Sequence, residues 1–188
     1  MRTVFRKKVI ILLLAACAAG VDAAEWKIDP TIEFRAGYND NITLRIDDEA
    51  SSAEARLSPS AVFSVVTPTS GASGRLRFDF RRFEDDSNLD DNNVRFVTSS
   101  YHRRERSELG LDLDFIKDTT LDSQLENTGL VLDRTTRYRV NIGPSWSYNL
   151  DARTEARFGY NYSDVRYNNT GETGFVDYHL NSGQASLQ

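Results

Sequence analysis

The stretch Trp26, Lys27, Ile28, Asp29, Pro30, Thr31, Ile32, Glu33, Phe34, Arg35, Ala36, Gly37, Tyr38 changes polarity at almost every step. Trp26, Ile28, Pro30, Ile32, Phe34, Ala36 and Tyr38 form one set, and Lys27, Asp29, Thr31, Glu33 and Arg35, continued by Asn39, form the other. A pleated strand sends successive side chains to opposite faces. The segment therefore predicts a strand with an apolar face, aromatic at its ends, and a charged face. A strand in a transmembrane β-barrel has this pattern, with lipid on one side and water or paired charges on the other.

The same alternation recurs down the chain. Ala53, Ala55, Leu57, Pro59, Ala61, Phe63 and Val65 define a second strand, and Leu76, Phe78 and Phe80 against Arg75, Arg77, Asp79 and Arg81 a third. A fifth follows from Leu109, Leu111, Leu113 and Phe115, a sixth from Tyr138 to Tyr148 and a seventh from Ala156 to Tyr162. The fourth, Val94 to His102, carries apolar residues on both faces, and the eighth, Val176 to Leu187, slips phase partway. Pro59 lacks a ladder donor, which predicts an edge or a bulge at that point. Connectors after odd strands are long and polar (Asn39 to Ser52, Glu84 to Asn93, Lys117 to Asp133, Asp164 to Phe175), while those after even strands are short. Outer-membrane barrels sort their loops in this way, with short periplasmic turns and longer outer loops. The expected fold is all-β: an antiparallel up-and-down transmembrane β-barrel with about eight strands in this chain.

Residues 1–23 read as a secretory signal peptide, with Arg2, Arg6, Lys7 and Lys8, then an apolar run from Val9 to Ala19, then Val21, Asp22 and Ala23. Leu14, Ala15, Ala16 and Cys17 also resemble a lipoprotein lipobox, so lipidation at Cys17 stays open. If the signal is removed, the remaining chain has no cysteine, and an exported chain without disulfides draws its stability from elsewhere. The full chain carries 23 Lys and Arg against 28 Asp and Glu. Residues 1–23 hold four of the basic residues and Asp22, which leaves 19 against 27. That acidic balance speaks against a nucleic-acid partner.

Tyr38, Asn39, Asp40, Asn41 at the end of the first strand, Leu57, Ser58, Pro59 on the second, and Phe80, Arg81, Arg82, Phe83 on the third are similar to motifs of one family. The chain resembles the β-barrel porin type 2 family over roughly residues 25–188. That resemblance implies an outer-membrane barrel encoded near exopolysaccharide and exosortase (PEP-CTERM) loci, with a porin-like or accessory role in polysaccharide export. Members of the family are longer than this chain. Outer-membrane barrels usually finish on an aromatic residue, whereas this sequence finishes Ser186, Leu187, Gln188. The expectation is that residues 24–188 are the N-terminal part of a longer barrel.

On the charged faces, Arg75, Arg77, Arg81, Arg137 and Arg139 are the candidate lumen residues. A track of guanidinium groups can guide an anionic polysaccharide by charge and bidentate hydrogen bonds. The alternative is that these groups pair with carboxylates on neighbouring strands and stiffen the wall. Trp26, Phe34, Phe78, Phe80, Trp146 and Tyr160 are the candidate membrane-facing residues. The partners this implies are outer-membrane lipid and lipopolysaccharide, and the barrel-assembly machinery. Asp86 to Asn92 lacks the glycine and glutamate of a calcium loop, and His102 and His179 stand in the two weakest strands with no catalytic signature around them. The sequence thus predicts no enzyme, no cofactor and no metal. A structural barrel without transport and an exported soluble β-sandwich that binds a ligand are the other readings.

Overall fold

The computed structural model describes residues 24–39, 51–85, 87, 90–120, 135–168 and 175–188. The stretch read as a signal peptide with Cys17, the Asp40 and Asn41 end of the first motif, and Asp86, Asn88 and Leu89 of the Asp86 to Asn92 segment lie outside the described residues.

Eight strands form one antiparallel sheet: β1 (Glu25–Asn39), β2 (Ser52–Val66), β3 (Ser70–Phe83), β4 (Asp91–Arg104), β5 (Ser107–Thr119), β6 (Thr136–Asn149), β7 (Glu155–Tyr167) and β8 (Tyr178–Leu187). Their order is β1 to β8 without a crossover, so every strand pairs only with its neighbours in sequence. The up-and-down meander is as expected. The sheet is not closed, because β1 and β8 each leave one edge unpaired. Connector length follows strand parity: 67–69, 105–106 and 150–154 are short, and the connectors at the opposite end are longer.

Several boundaries shift from the sequence reading. β5 continues to Thr119 and β7 to Tyr167, so Asp118 and Asp164 belong to strands rather than to the connectors expected there. Pro59 lies neither at an edge nor at a bulge. β2 runs between β1 and β3, and Leu57 opposite Phe80 and Ser60 opposite Arg77 keep one register across the proline. The ladder to β3 is merely interrupted at Ser58 and Pro59, while Ile32 of β1 still pairs with Pro59. Pro144 does the same in β6, paired with Leu111 of β5 and interrupting the ladder to β7. A missing N–H affects only the neighbour it would have faced, so an interior strand tolerates one proline without changing register. On β1 the ladder to β2 passes unbroken through Pro30, which places its missing donor on the open edge.

The slip of phase in β8 is real and no bulge corrects it. Its pairing with β7 holds one register from Val165 opposite Tyr178 to Ala156 opposite Leu187. The two apolar residues of β4 on the wrong face, Val97 and Tyr101, stand opposite Arg75 and Gly71 of β3. Among the described residues the only buried hydrophobic side chains are Ile116 and Val165, 9% and 2% exposed. Ile32, Phe34 and Trp26, by contrast, are 75%, 66% and 58% exposed. A sheet of this size with almost no core leaves its apolar surface for some other medium to cover.

Candidate functional site

Residues directly opposite one another in an antiparallel pair share a face, so the registers divide the sheet into two surfaces. Trp26, Phe34, Phe78, Phe80, Trp146 and Tyr160 fall on one of them. They are joined there by Ile28 opposite Phe63, Leu76 opposite Phe96, Phe96 opposite Phe115, and Leu113 opposite Ile142. Phe78 and Phe80 stack at 6.2 Å, and Trp146 stacks on Phe158 at 5.5 Å and leans on Tyr148 at 6.0 Å. Phe63 extends over Gly74 of β3, where an added Cβ would lie 2.6 Å from its ring, and reaches Phe96 of β4 at 6.2 Å.

The apolar band crosses the sheet obliquely. On β1 it is centred on Ile32, and the row of paired residues through Ile32 passes Pro59, Phe78, Val94, Lys117 and Tyr138 to Arg166 on β7. On β7 the band has moved down the strand to the alternate residues Ala156 to Tyr162, leaving Asp164 and Arg166 beyond it. The displacement is about seven residues over six strand intervals. At ~3.4 Å per residue and ~4.8 Å per strand the band therefore makes roughly 40° with the hydrogen-bond rows.

The opposite face holds Arg75, Arg77, Arg81, Arg137 and Arg139 together with the carboxylates. Asp79 is the hub of one network: Ser58 Oγ donates to its Oδ1 at 2.5 Å, Arg56 Nε at 3.2 Å and Arg77 Nη2 at 2.9 Å, while Arg77 Nε donates to Oδ2 at 2.9 Å. Arg77 also lies 3.6 Å from Glu33 of β1, which pairs with Arg35 at 2.5 Å. Arg137 donates to Asp118 twice, Nε to Oδ1 at 2.9 Å and Nη2 to Oδ2 at 2.5 Å. Arg81 stands 4.0 Å from Asp91. The signs fall in columns. The polar face of β5 carries Glu108, Asp112, Asp114 and Asp118 and no base, between β4, with Arg95 and Arg103, and β6, with Arg137 and Arg139.

Ion pairing therefore takes up Arg77, Arg81 and Arg137 of the expected track. Among the described residues Arg75 and Arg139 form no ion pair, and neither does Arg95, which the sequence reading left out. Arg139 Nε and Asp114 Oδ1 are buried without a hydrogen-bond partner. Arg95 could have been found by carrying the parity of Val97 and Tyr101 back along β4. Among the described residues no group of three metal-ligating side chains gathers, and no helix is long and apolar enough to cross a membrane.

The chain matches no family model, no curated protein and no solved structure.

Proposed function

We propose that the sheet is the wall of an outer-membrane β-barrel, with its apolar band in lipid and its charged face toward a polar lumen, and that it serves as a porin-like or accessory element in the export of an extracellular polysaccharide. The oblique apolar band carries the membrane reading. A bilayer presents a level slab, so strands tilted as in membrane barrels, by roughly 35–45°, must carry an apolar band that shifts from strand to strand at that angle. On β6 the alternate residues from Tyr138 to Tyr148 would rise, at that tilt, roughly 25 Å along the membrane normal, the usual height of the apolar belt. Tyr38 and Tyr138 toward the long connectors, and Trp26, Trp146 and Tyr148 toward the short turns, stand where interfacial aromatic side chains favour a membrane boundary. Lipid and lipopolysaccharide would cover this face, and the barrel-assembly machinery would insert it. The polysaccharide role is supported by the family resemblance alone.

Fractionation tests the reading. The full-length protein should sediment with outer membranes, require detergent for extraction, and migrate differently on a denaturing gel before and after boiling. Recovery as a water-soluble periplasmic monomer would overturn it.

A further inference from the structure

We infer that Arg95, Arg139 and Asp114, on the charged face of β4, β5 and β6, form a recognition subsite for an acidic sugar. The inference rests on the reading of that face as a lumen.

Most guanidinium groups on this face are held by a carboxylate, as Arg56, Arg77, Arg103, Arg137 and Arg157 are. The exceptions among the described residues, Arg75, Arg95 and Arg139, fall in two adjacent rows. Arg95 lies opposite Ile116, and Ile116 opposite Arg139, so the two arginines stand in one row on either side of a buried isoleucine. Two strand spacings put their Cα atoms about 10 Å apart. The adjacent row runs Arg75, Val97, Asp114, Asn141 and Ser163. Within it Asp114 Oδ1 is buried and accepts nothing, and in the row above Arg139 Nε is buried and donates to nothing.

Arg139 and Asp114 thus keep an unpartnered donor and an unpartnered acceptor in adjacent rows, and a ligand group that both accepts and donates would complement them. A hydroxyl does both. A bare inorganic anion does not: it would satisfy Arg95 and Arg139 but be repelled by Asp114. A carboxylate against the two guanidinium groups, with ring hydroxyls reaching Asp114 and Asn141, fits all of them, and this is the chemistry of a uronic-acid residue.

Calorimetric titration of the full-length chain in detergent with an oligogalacturonate, with an uncharged oligosaccharide of equal length, and with sulfate tests the site. Oligogalacturonate should bind, and Arg95→Gln and Arg139→Gln should each weaken it by about tenfold or more. Asp114→Asn should weaken it too, while Arg103→Gln at the turn end should not. Equal binding of the uncharged sugar, sulfate binding as strong as oligogalacturonate, or unchanged binding in both arginine variants would overturn the subsite. Detergent-extracted, heat-modifiable protein that binds no oligogalacturonate removes the subsite and leaves the barrel. Water-soluble protein that binds it with this variant profile removes the barrel and keeps the subsite.

Discussion

The ring of Tyr101 on β4 occupies the space that a side chain at Gly71 on β3 would fill: an added Cβ would lie 2.6 Å from Tyr101 Cε1. The two residues are directly paired, and the guanidinium of Arg103 sits 4.3 Å from the centre of the same ring. A glycine in a strand normally weakens it through lost packing and greater backbone freedom. Here the tyrosine restores the packing. Gly71→Ala should therefore destabilise the sheet by about 1–3 kcal/mol, the usual cost of overpacking. In a double-mutant cycle read by urea unfolding in detergent, Tyr101→Ser should recover much of that loss. Additive effects would contradict the contact.

Asp79 is the single carboxylate of β3, and the sheet should be sensitive to its loss. Ser58 and Arg56 of β2 meet there exactly where Pro59 interrupts the backbone ladder, so side-chain bonds replace the missing main-chain ones. Asp79→Ala leaves Arg56 without its carboxylate and Arg77 with Glu33 alone, and should cost about 2 kcal/mol, against about 1 kcal/mol for Ser58→Ala. Unfolding midpoints of the two variants check the ranking, and a larger loss in Ser58→Ala would reverse it.

Leu113 lies between Thr98 and Ile142 in the middle of the apolar band, whereas Ser99 faces the other way one residue from Thr98. Leu113→Arg should cost about 2–4 kcal/mol in a bilayer, against less than about 1 kcal/mol for Ser99→Arg. Folding equilibria in lipid vesicles measure both. Equal costs would mean that the two faces meet the same medium.

Asp151 closes the turn between β6 and β7. Its Oδ1 accepts the backbone N–H of Arg153 at 2.8 Å and of Thr154 at 2.9 Å, and these bonds, that of Arg153 foremost, hold its carboxyl below the ordinary aspartate value. A carboxyl depressed on folding contributes stability above its unfolded pKa, and the contribution disappears as pH falls through the folded value. A carbon-13 titration of Asp151 should show an inflection below the usual ~3.9. The turn should loosen only in strong acid, and an inflection at or above that value would contradict the geometry.

Much of the architecture was legible because six strands alternate cleanly, and alternation is the direct imprint of a pleat between two media. The fourth strand was obscure for a local reason: Tyr101 is on the polar face to cover a glycine of the neighbouring strand, a demand that only register reveals. Pro59 needs neither an edge nor a bulge because its missing donor affects a single ladder, the one to β3. The charged face was legible as a set of residue types but not as partners. Arg137 and Asp118 are 19 residues apart, and Asp118 read as part of a polar connector until the strand was seen to continue to Thr119. Arg95 is hard to place from sequence because β4 alternates least cleanly.

Because every strand pairs only with the strands before and after it in sequence, a hairpin can be gained or lost without disturbing any pairing outside it. The width of such a sheet is a matter of how many hairpins it holds. Asp79 with its donors lies on β2 and β3, and Arg95 with Arg139 lies on β4 and β6. The Arg137 and Asp118 pair shares β5 and β6 with Asp114 and Arg139, so on those strands a wall-stiffening pair and the proposed subsite vary together.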